Sequence, residues 1–311
     1  MRAGPRNERG FALIAVLLVL ALVGVIGAEF AYSMRLEAAA VRGYKETTIA
    51  THLAEAAVEQ AIREIAADFT YIGLDDKGIL TFYRPGPTAV PRLPRDKVPL
   101  GAGEFTYRLA DEEARIDVNT APPDRLDRLL LALGLEKAER DTIVSSIQDW
   151  RDANDEHRLN GAESDDTYLK LPVPYRARNG NLESTSELLQ IKGVTPAIFT
   201  GGDGRRGLAD LVTVGTRGQV NLNTAEPSVL RALGLAEAEI SEIEQARRSA
   251  PYSVVPGRFA GRGLAVTTRT FRVETEGLID GRVRARISAV VQRRTEGAVA
   301  TVAILEWSGV Q

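Results

Sequence analysis

Residues 11 to 28 carry no ionisable side chain, and this apolar run constrains everything that follows it. About 18 apolar residues are just enough to cross the hydrocarbon core as a helix. A single span in lipid must satisfy its own backbone groups, so a helix is the only reading for it. Arg2, Arg6 and Arg9, with one acid, Glu8, precede the run, and Glu29 is the first charge after it. The arginine side should stay in the cytoplasm, which places the rest of the chain on the far side of the membrane. A cleavable secretory signal and a plain one-span anchor are the simpler alternatives. Gly24, Gly27 and Ala28 leave a signal cleavage site open.

The helical pattern continues beyond the membrane edge. Met34, Leu36, Val41, Tyr44, Ile49, Leu53, Ala57, Ile62 and Ile65 recur at helical spacing with charges between them, and no Pro occurs between Pro5 and Pro85. The spacing predicts one helix of nearly 60 residues, about 85 Å long, with an amphipathic second half packed on a globular body. Residues 71 to 103 are punctuated by Gly and Pro. Only residues 79–83 read as a strand there, the rest as extended loop.

Residues 104–110 and 113–118 alternate apolar and polar positions around Asp111-Glu112, which predicts a hairpin. Strand character then disappears and returns at residues 270–278, 283–291 and 298–307, with turns at Gly277, Asp280-Gly281 and Glu296-Gly297. The expected fold class is therefore α+β: the long N-terminal helix on an antiparallel sheet, with a large inserted all-α domain resembling SAM-like or helix-hairpin-helix bundles. The expected division is 1–10 leader, 11–30 transmembrane half-helix, 31–118 and 264–311 the two parts of the α+β head, and 119–263 the helical insertion.

The insertion contains a repeat. Ile116-Asp117-Val118-Asn119-Thr120-Ala121 recurs as Val220-Asn221-Leu222-Asn223-Thr224-Ala225. Each copy is followed by a Pro, a helix, Ala-Leu-Gly-Leu and a second helix. Thr120 and Thr224 are suited to cap the first helices, Gly134 and Gly234 to end them, and Asn119 and Asn223 to tie the entry loops to backbone. Residues 186–194 form a third helix-Gly-apolar fragment. Such turns bind DNA phosphates in helix-hairpin-helix modules, but Glu136, Glu139, Glu237 and Glu239 would repel phosphate, leaving Lys192 as the one helpful charge. A structural bundle is the expected reading, and nucleic acid is not an expected partner.

A second dense feature is acidic. Asp149, Asp152, Asn154, Asp155, Glu163, Asp165 and Asp166 crowd into 18 residues, with Trp150, Tyr168 and Tyr175 close by. Clustered carboxylates need solvent or a cation between them, and Ca²⁺ takes six to eight oxygens from flexible loops. A solvated acidic loop and a structural Ca²⁺ site both remain open. The chain has no Cys, and His157 is the only nitrogen near the loop, which disfavours Zn²⁺. No substrate-site signature accompanies the carboxylates and no phosphate-binding Gly loop is present, so no enzymatic activity is expected. The net charge of −3 does not advertise a polyanion partner.

The basic leader ending in Gly10, with Phe11 opening the apolar run, resembles the type IV pilin and pseudopilin signature. The resemblance implies prepilin-peptidase cleavage of the Gly10–Phe11 bond and N-methylation of Phe11. Most members carry Glu at the fifth mature position, where this chain has Ala15. That Glu is thought to neutralise a neighbouring subunit's amine, so a subunit lacking it belongs where no such pairing is required, at the filament tip. Asp149-Trp150, Asn160-Gly161-Ala162-Glu163, Asp166, Tyr168, Pro174-Tyr175-Arg176-Ala177, Ser186-Glu187-Leu188, Lys192-Gly193 and the second repeat copy extend the likeness. Together they resemble general secretion pathway protein K, the family of minor pseudopilins of type II secretion. The resemblance implies a subunit at the tip of a periplasmic pseudopilus. Its partners would be the other minor pseudopilins, the prepilin peptidase, the inner-membrane secretion platform, and a secreted substrate or the secretin. It also implies Ca²⁺ bound in the helical domain near the acidic loop. The alternative is a membrane-tethered helix-hairpin-helix protein of a DNA uptake machine.

Overall fold

The computed structural model describes residues 8–86, 88–202, 206–296 and 299–309; the leader residues Arg2 and Arg6 and the turn at Gly297 fall outside them. Helix α1, Glu8–Ile65, is continuous over 58 residues, about 87 Å at 1.5 Å per residue. It has no Pro to break it, and its first part is lipid-grade in hydropathy and wholly unburied. The amphipathic half packs later than its periodicity predicts. Phe30, Tyr32, Met34, Leu36, Val41 and Tyr44 stay exposed, and burial begins at Ala50. From there Ala50, Leu53, Ala54, Ala57, Val58, Ala61 and Ile65 form one buried stripe at three- and four-residue spacing.

That stripe lies on the head. Strands β1 (Tyr71–Leu74), β2 (Leu80–Arg84) and β3 (Thr88–Ala89) form a small antiparallel meander, and β4 (Val98–Leu100) and β5 (Gly103–Asp111) follow. Part of the expected extended loop is thus sheet. Phe69, Ile72, Leu80 and Phe82 supply enough apolar surface to bury it against Phe271, despite its Gly and Pro.

After β5 the expected hairpin does not form. Asp111 accepts a hydrogen bond from the Glu113 N–H at 2.9 Å and turns the chain into a 3-10 turn at Glu112–Ala114. Strand β6 (Ile116–Asp117) then pairs in parallel with β7 (Val212–Thr213), inside the insertion. The insertion continues through α2 (Pro123–Ala132), α3 (Lys137–Arg151), α4 (Pro196–Thr200), α5 (Leu208–Leu211), β7, β8 (Val220–Asn221), α6 (Pro227–Ala232), α7 (Glu237–Ser249) and β9 (Leu264–Ala265). It has its own core, from Ile116 to Leu264, centred on Leu129, Leu130, Ile143, Leu230 and Ile243.

The chain re-enters the head in β10 (Thr270–Ile279), β11 (Arg282–Glu296) and β12 (Val299–Ser308). These complete a five-stranded antiparallel sheet, β12-β11-β10-β5-β4. Phe271 faces Asp111 across the β10–β5 ladder, so the insertion leaves and returns at one place. Helix α1 crosses β10, β11 and β5 closely enough that a Cβ on Gly277 would collide with the Ala50 carbonyl.

Candidate functional site

The repeat is realised as two helix pairs, α2/α3 and α6/α7, in contact through α2 and α6. Gly134 and Gly234 follow the first helix of each pair at φ of 86° and 81°, a conformation that favours glycine. Asn119 clamps the entry loop to Leu182: its Nδ2 donates to Leu182 O at 2.9 Å and its Oδ1 accepts from Leu182 N at 2.8 Å. Asn223 does the same with Tyr252, at 3.0 and 2.7 Å. The threonines do not cap. Pro122 and Glu226 occupy the cap positions without side-chain bonds. Thr224 instead donates to the buried Asp111 at 2.6 Å, because that carboxylate lies directly beneath it. Two arginines that periodicity does not reveal complete the units. Arg151 and Arg247, in the last turns of α3 and α7, donate to the carbonyls of Ala121 (3.3 Å) and Ala225 (2.7 Å).

The acidic loop hangs from the end of α3. Asp149 is fully buried and accepts from Arg158 Nη1 at 2.6 Å and from the Ala162 N–H at 2.9 Å. Gly161 passes so close that any Cβ would strike the Asp149 carboxylate. Asp152 pairs with Arg158. Asp166 accepts from the Glu163 N–H at 3.1 Å and faces His157 Nδ1 at 3.1 Å. Asp165 is exposed. Asn154 and Asp155 hold Asn179, whose Nδ2 donates to Asp155 Oδ1 at 2.8 Å. Behind the loop Trp150, Tyr168 and Tyr175 pack edge-on and stacked, with centroids 5.2 to 6.3 Å apart.

Glu163 is different. It is 1% exposed, and neither carboxylate oxygen has a hydrogen-bond partner. The Ser164 N–H lies near enough to ease its charge but not in bonding geometry. Burial, with the charges of Asp149, Asp152 and Asp155, pushes its pKa up to about 7. The Asn179 Oδ1 is also buried without a donor. Both of these orphans are acceptors and could take a donor, a proton or a cation, while behind the loop the Trp150 Nε1 donor is buried without an acceptor. Among the described residues no three Asp, Glu or His side chains converge at ligand distance. Asn179 is absent from the sequence-derived candidates; its one signal is its left-handed backbone, φ 50°.

Lys192, the lone cation at the third hairpin turn, does not face outward to a phosphate. Its Nζ donates to Gly161 O at 3.0 Å and holds the acidic loop. At the other turns Arg231 and Arg262 are bound to Glu237 and Glu239. The turns therefore offer no free cation among the described residues named here, and nothing supports the DNA-binding alternative. The Gly10–Phe11 bond lies in the first turns of α1.

Residues 107–201 match the family described as Type II secretion system (T2SS), protein K. Type II secretion system protein K of Pectobacterium carotovorum subsp. carotovorum is 29% identical over 216 residues, covering 62% of this chain and 60% of that protein. The putative type II secretion system protein K of Escherichia coli (strain K12) is 28% identical with the same coverage. The chain thus matches about three fifths of the length of these two relatives. The Pseudomonas aeruginosa protein K is 26% identical over 325 residues, with 96% of this chain and 92% of that protein covered. A chain in the crystal structure of the GspK-GspI-GspJ complex from enterotoxigenic Escherichia coli superposes with a TM-score of 0.60 at 17% identity. It covers 89% of this chain and 99% of that one, a likeness of fold. With a long apolar helix laid on an antiparallel sheet and a helical repeat inserted between paired strands, the chain is similar to type II secretion system protein K, in the family model over residues 107–201 and in these relatives over most or all of its length.

Proposed function

We propose that this chain is a minor pseudopilin that assembles at the tip of the periplasmic pseudopilus and starts or caps it during export across the outer membrane. The division of α1 carries this reading. Residues 12–28 are apolar and bare, while the chain's own head uses α1 only from Glu46 onward and buries its stripe from Ala50 to Ile65. The bare part anchors the subunit in the inner membrane as a single span, with the head in the periplasm. Prepilin-peptidase cleavage at Gly10–Phe11 and methylation of Phe11 free the subunit for extraction. Neighbouring helices then pack along the exposed segment that carries Phe30, Met34 and Leu36. The composition of the related complex, GspK with GspI and GspJ, supports two other minor pseudopilins as partners. Ala15 fits a tip position, and the insertion makes the subunit too broad to be followed by another above it. The mechanism is assembly without chemical turnover.

Ca²⁺ belongs to the same reading. The two orphaned acceptors, Glu163 and Asn179, fit a hard cation, and Asp152 and Asp155 lie close enough for their charges to act on Glu163. Bound there, Ca²⁺ would neutralise the carboxylates and tie the loop down. Asp149, Asp152, Asp155 and Asp166 already hold partners within the protein, so a cation would compete with those contacts, and Asp165 is exposed.

The deciding measurement is the mass of the N-terminal peptide of protein purified from its own host's membranes. N-methylated Phe11 as the first residue is the expected result. An unprocessed Met1 or a cut near Ala28 would remove the pseudopilin reading.

A further inference from the structure

Where the insertion meets the head, a cleft of about 330 Å³ opens between the loop before β8 and the ends of β10 and β11. Arg217 comes from the insertion, and Arg269, Arg293 and Arg294 from the head. Several other head arginines reach carboxylates: Arg95 reaches Glu64, Arg272 reaches Glu112, Arg284 reaches Glu46 and Arg286 reaches Glu276. The four in the cleft make no ion pair among the described residues. The single carboxylate in the wall, Glu113, is 7% exposed and already used. It accepts from the Arg269 N–H at 3.0 Å and from Thr270 Oγ1 at 3.4 Å.

Two of the four have side-chain contacts within the protein, while the Arg217 and Arg269 guanidinium groups are exposed and free to turn toward a ligand. Arg293 lies over the Phe69 ring at 4.4 Å and donates from Nη2 to Ala67 O at 3.1 Å, while its Nε is buried with no acceptor. Arg294 donates to Gln292 Oε1 at 3.4 Å. Cations gathered in a concave site repel each other unless an anion joins them.

We infer that this cleft binds an acidic segment of a partner protein, with two or three Asp or Glu side chains set against the arginine forks. Guanidinium groups match carboxylates in bidentate geometry, and Arg293, held by Phe69 and Ala67, loses little freedom on binding. The inner-membrane surface cannot supply the anion. The cleft sits beyond the end of α1, about 55 Å of helix above the apolar run. A nucleic acid is a poor fit. The cleft is small, the chain carries a net charge of −3, and the hairpin turns present Glu136, Glu139, Glu237 and Glu239. The cleft would take such a segment whether or not the chain enters a filament.

The test uses the full chain in detergent micelles and a fluorescently labelled hexaglutamate peptide, read by anisotropy at low and at physiological salt. Saturable binding that weakens with salt is expected, with no binding of labelled hexaglutamine. The double variant Arg217→Ala/Arg269→Ala should lose at least about tenfold in affinity. Arg282→Ala, an exposed arginine at the far hairpin, should lose less than about twofold. If the double variant melts lower than wild type, Arg217→Gln carries the test, since that exposed side chain makes no bond to the fold. The inference is overturned if hexaglutamine binds equally, if the arginine variants bind as wild type, or if Arg282→Ala loses as much. Complete displacement by inorganic phosphate at matched charge would also overturn it, marking a phosphate site instead.

Discussion

Glu163→Gln should stabilise this protein at neutral pH when cations are chelated, although it removes a buried side chain's natural charge. Glu163 has an ordinary pKa of 4.5, and burial among Asp149, Asp152 and Asp155 raises it to about 7 in the folded chain. Between those values the folded state holds a proton that the unfolded chain has released. Stability from this group is therefore complete below pH 4.5, falls as the pH rises, and is lost above about 7. The interval corresponds to about 3 kcal/mol, since each tenfold change in proton affinity is about 1.4 kcal/mol. A Gln has no charge to desolvate, and its amide can donate to the neighbouring carboxylates. The stability difference between variant and wild type should thus grow by about 3 kcal/mol across the window, in favour of the variant. The assay is chemical unfolding of the full chain in micelles with a chelator, followed by Trp150 fluorescence in a Trp307→Phe background. Saturating Ca²⁺ should restore the wild type and leave the Gln variant unmoved. The reasoning fails if the difference stays within about 0.5 kcal/mol across the window, or if Gln is the less stable form at about pH 8 in chelator.

Other perturbations read other parts of the fold. Asn223→Ala removes both bonds of the Tyr252 clamp from a buried site and should cost about 1–3 kcal/mol by the same unfolding assay. Asn119→Ala, half-buried, should cost less. Gly277→Ala forces a Cβ into the Ala50 carbonyl. It should loosen α1 from the sheet, read as rapid proteolysis between residues 44 and 70, whereas Gly134→Ala should leave that region protected. Ala15→Glu lies on a bare part of α1 and should leave folding unchanged while lowering occupancy at the pseudopilus tip. Normal occupancy and secretion by that variant would dispose of the account given for Ala15.

The parts of the fold legible in the sequence were those whose pattern is set by their own burial. The α1 stripe and the alternation in β10 and β11, where Ala285, Ile287 and Ala289 face the helix, read directly as a helix on a sheet. Residues 113–118 alternate equally well but do not form a hairpin strand. Glu112 and Glu113 are drawn into buried bonds with Arg272 and the Arg269 N–H, partners some 150 residues away that no local window contains. Burial raises Glu112, but the Arg115 and Arg272 charges outweigh it and hold the group below its usual range. Asp111 has no such cation and is pushed up to about 6 by burial, eased by Thr224, Thr268 and Asn221. Thr224 was misread for the same reason: its natural role as a cap yields to a deeper carboxylate. The acidic loop was legible as a cluster. Which of its members was left unsatisfied was not, because Arg158, His157 and the loop amides had to be placed first.

The way α1 meets the head has a mechanical consequence. Ala50 lies at Gly277, near the end of β10, and Phe69 lies at Phe271, near its beginning, so helix and strand run along each other. A pull along the rod toward the membrane therefore acts as shear, opposed at once by the buried side chains between Ala50 and Ile65. It cannot peel the contact open residue by residue. The stiff, continuous rod delivers force to the longest ladder in the molecule, and the insertion, attached at the far end between Asp111 and Phe271, hangs outside the line of tension.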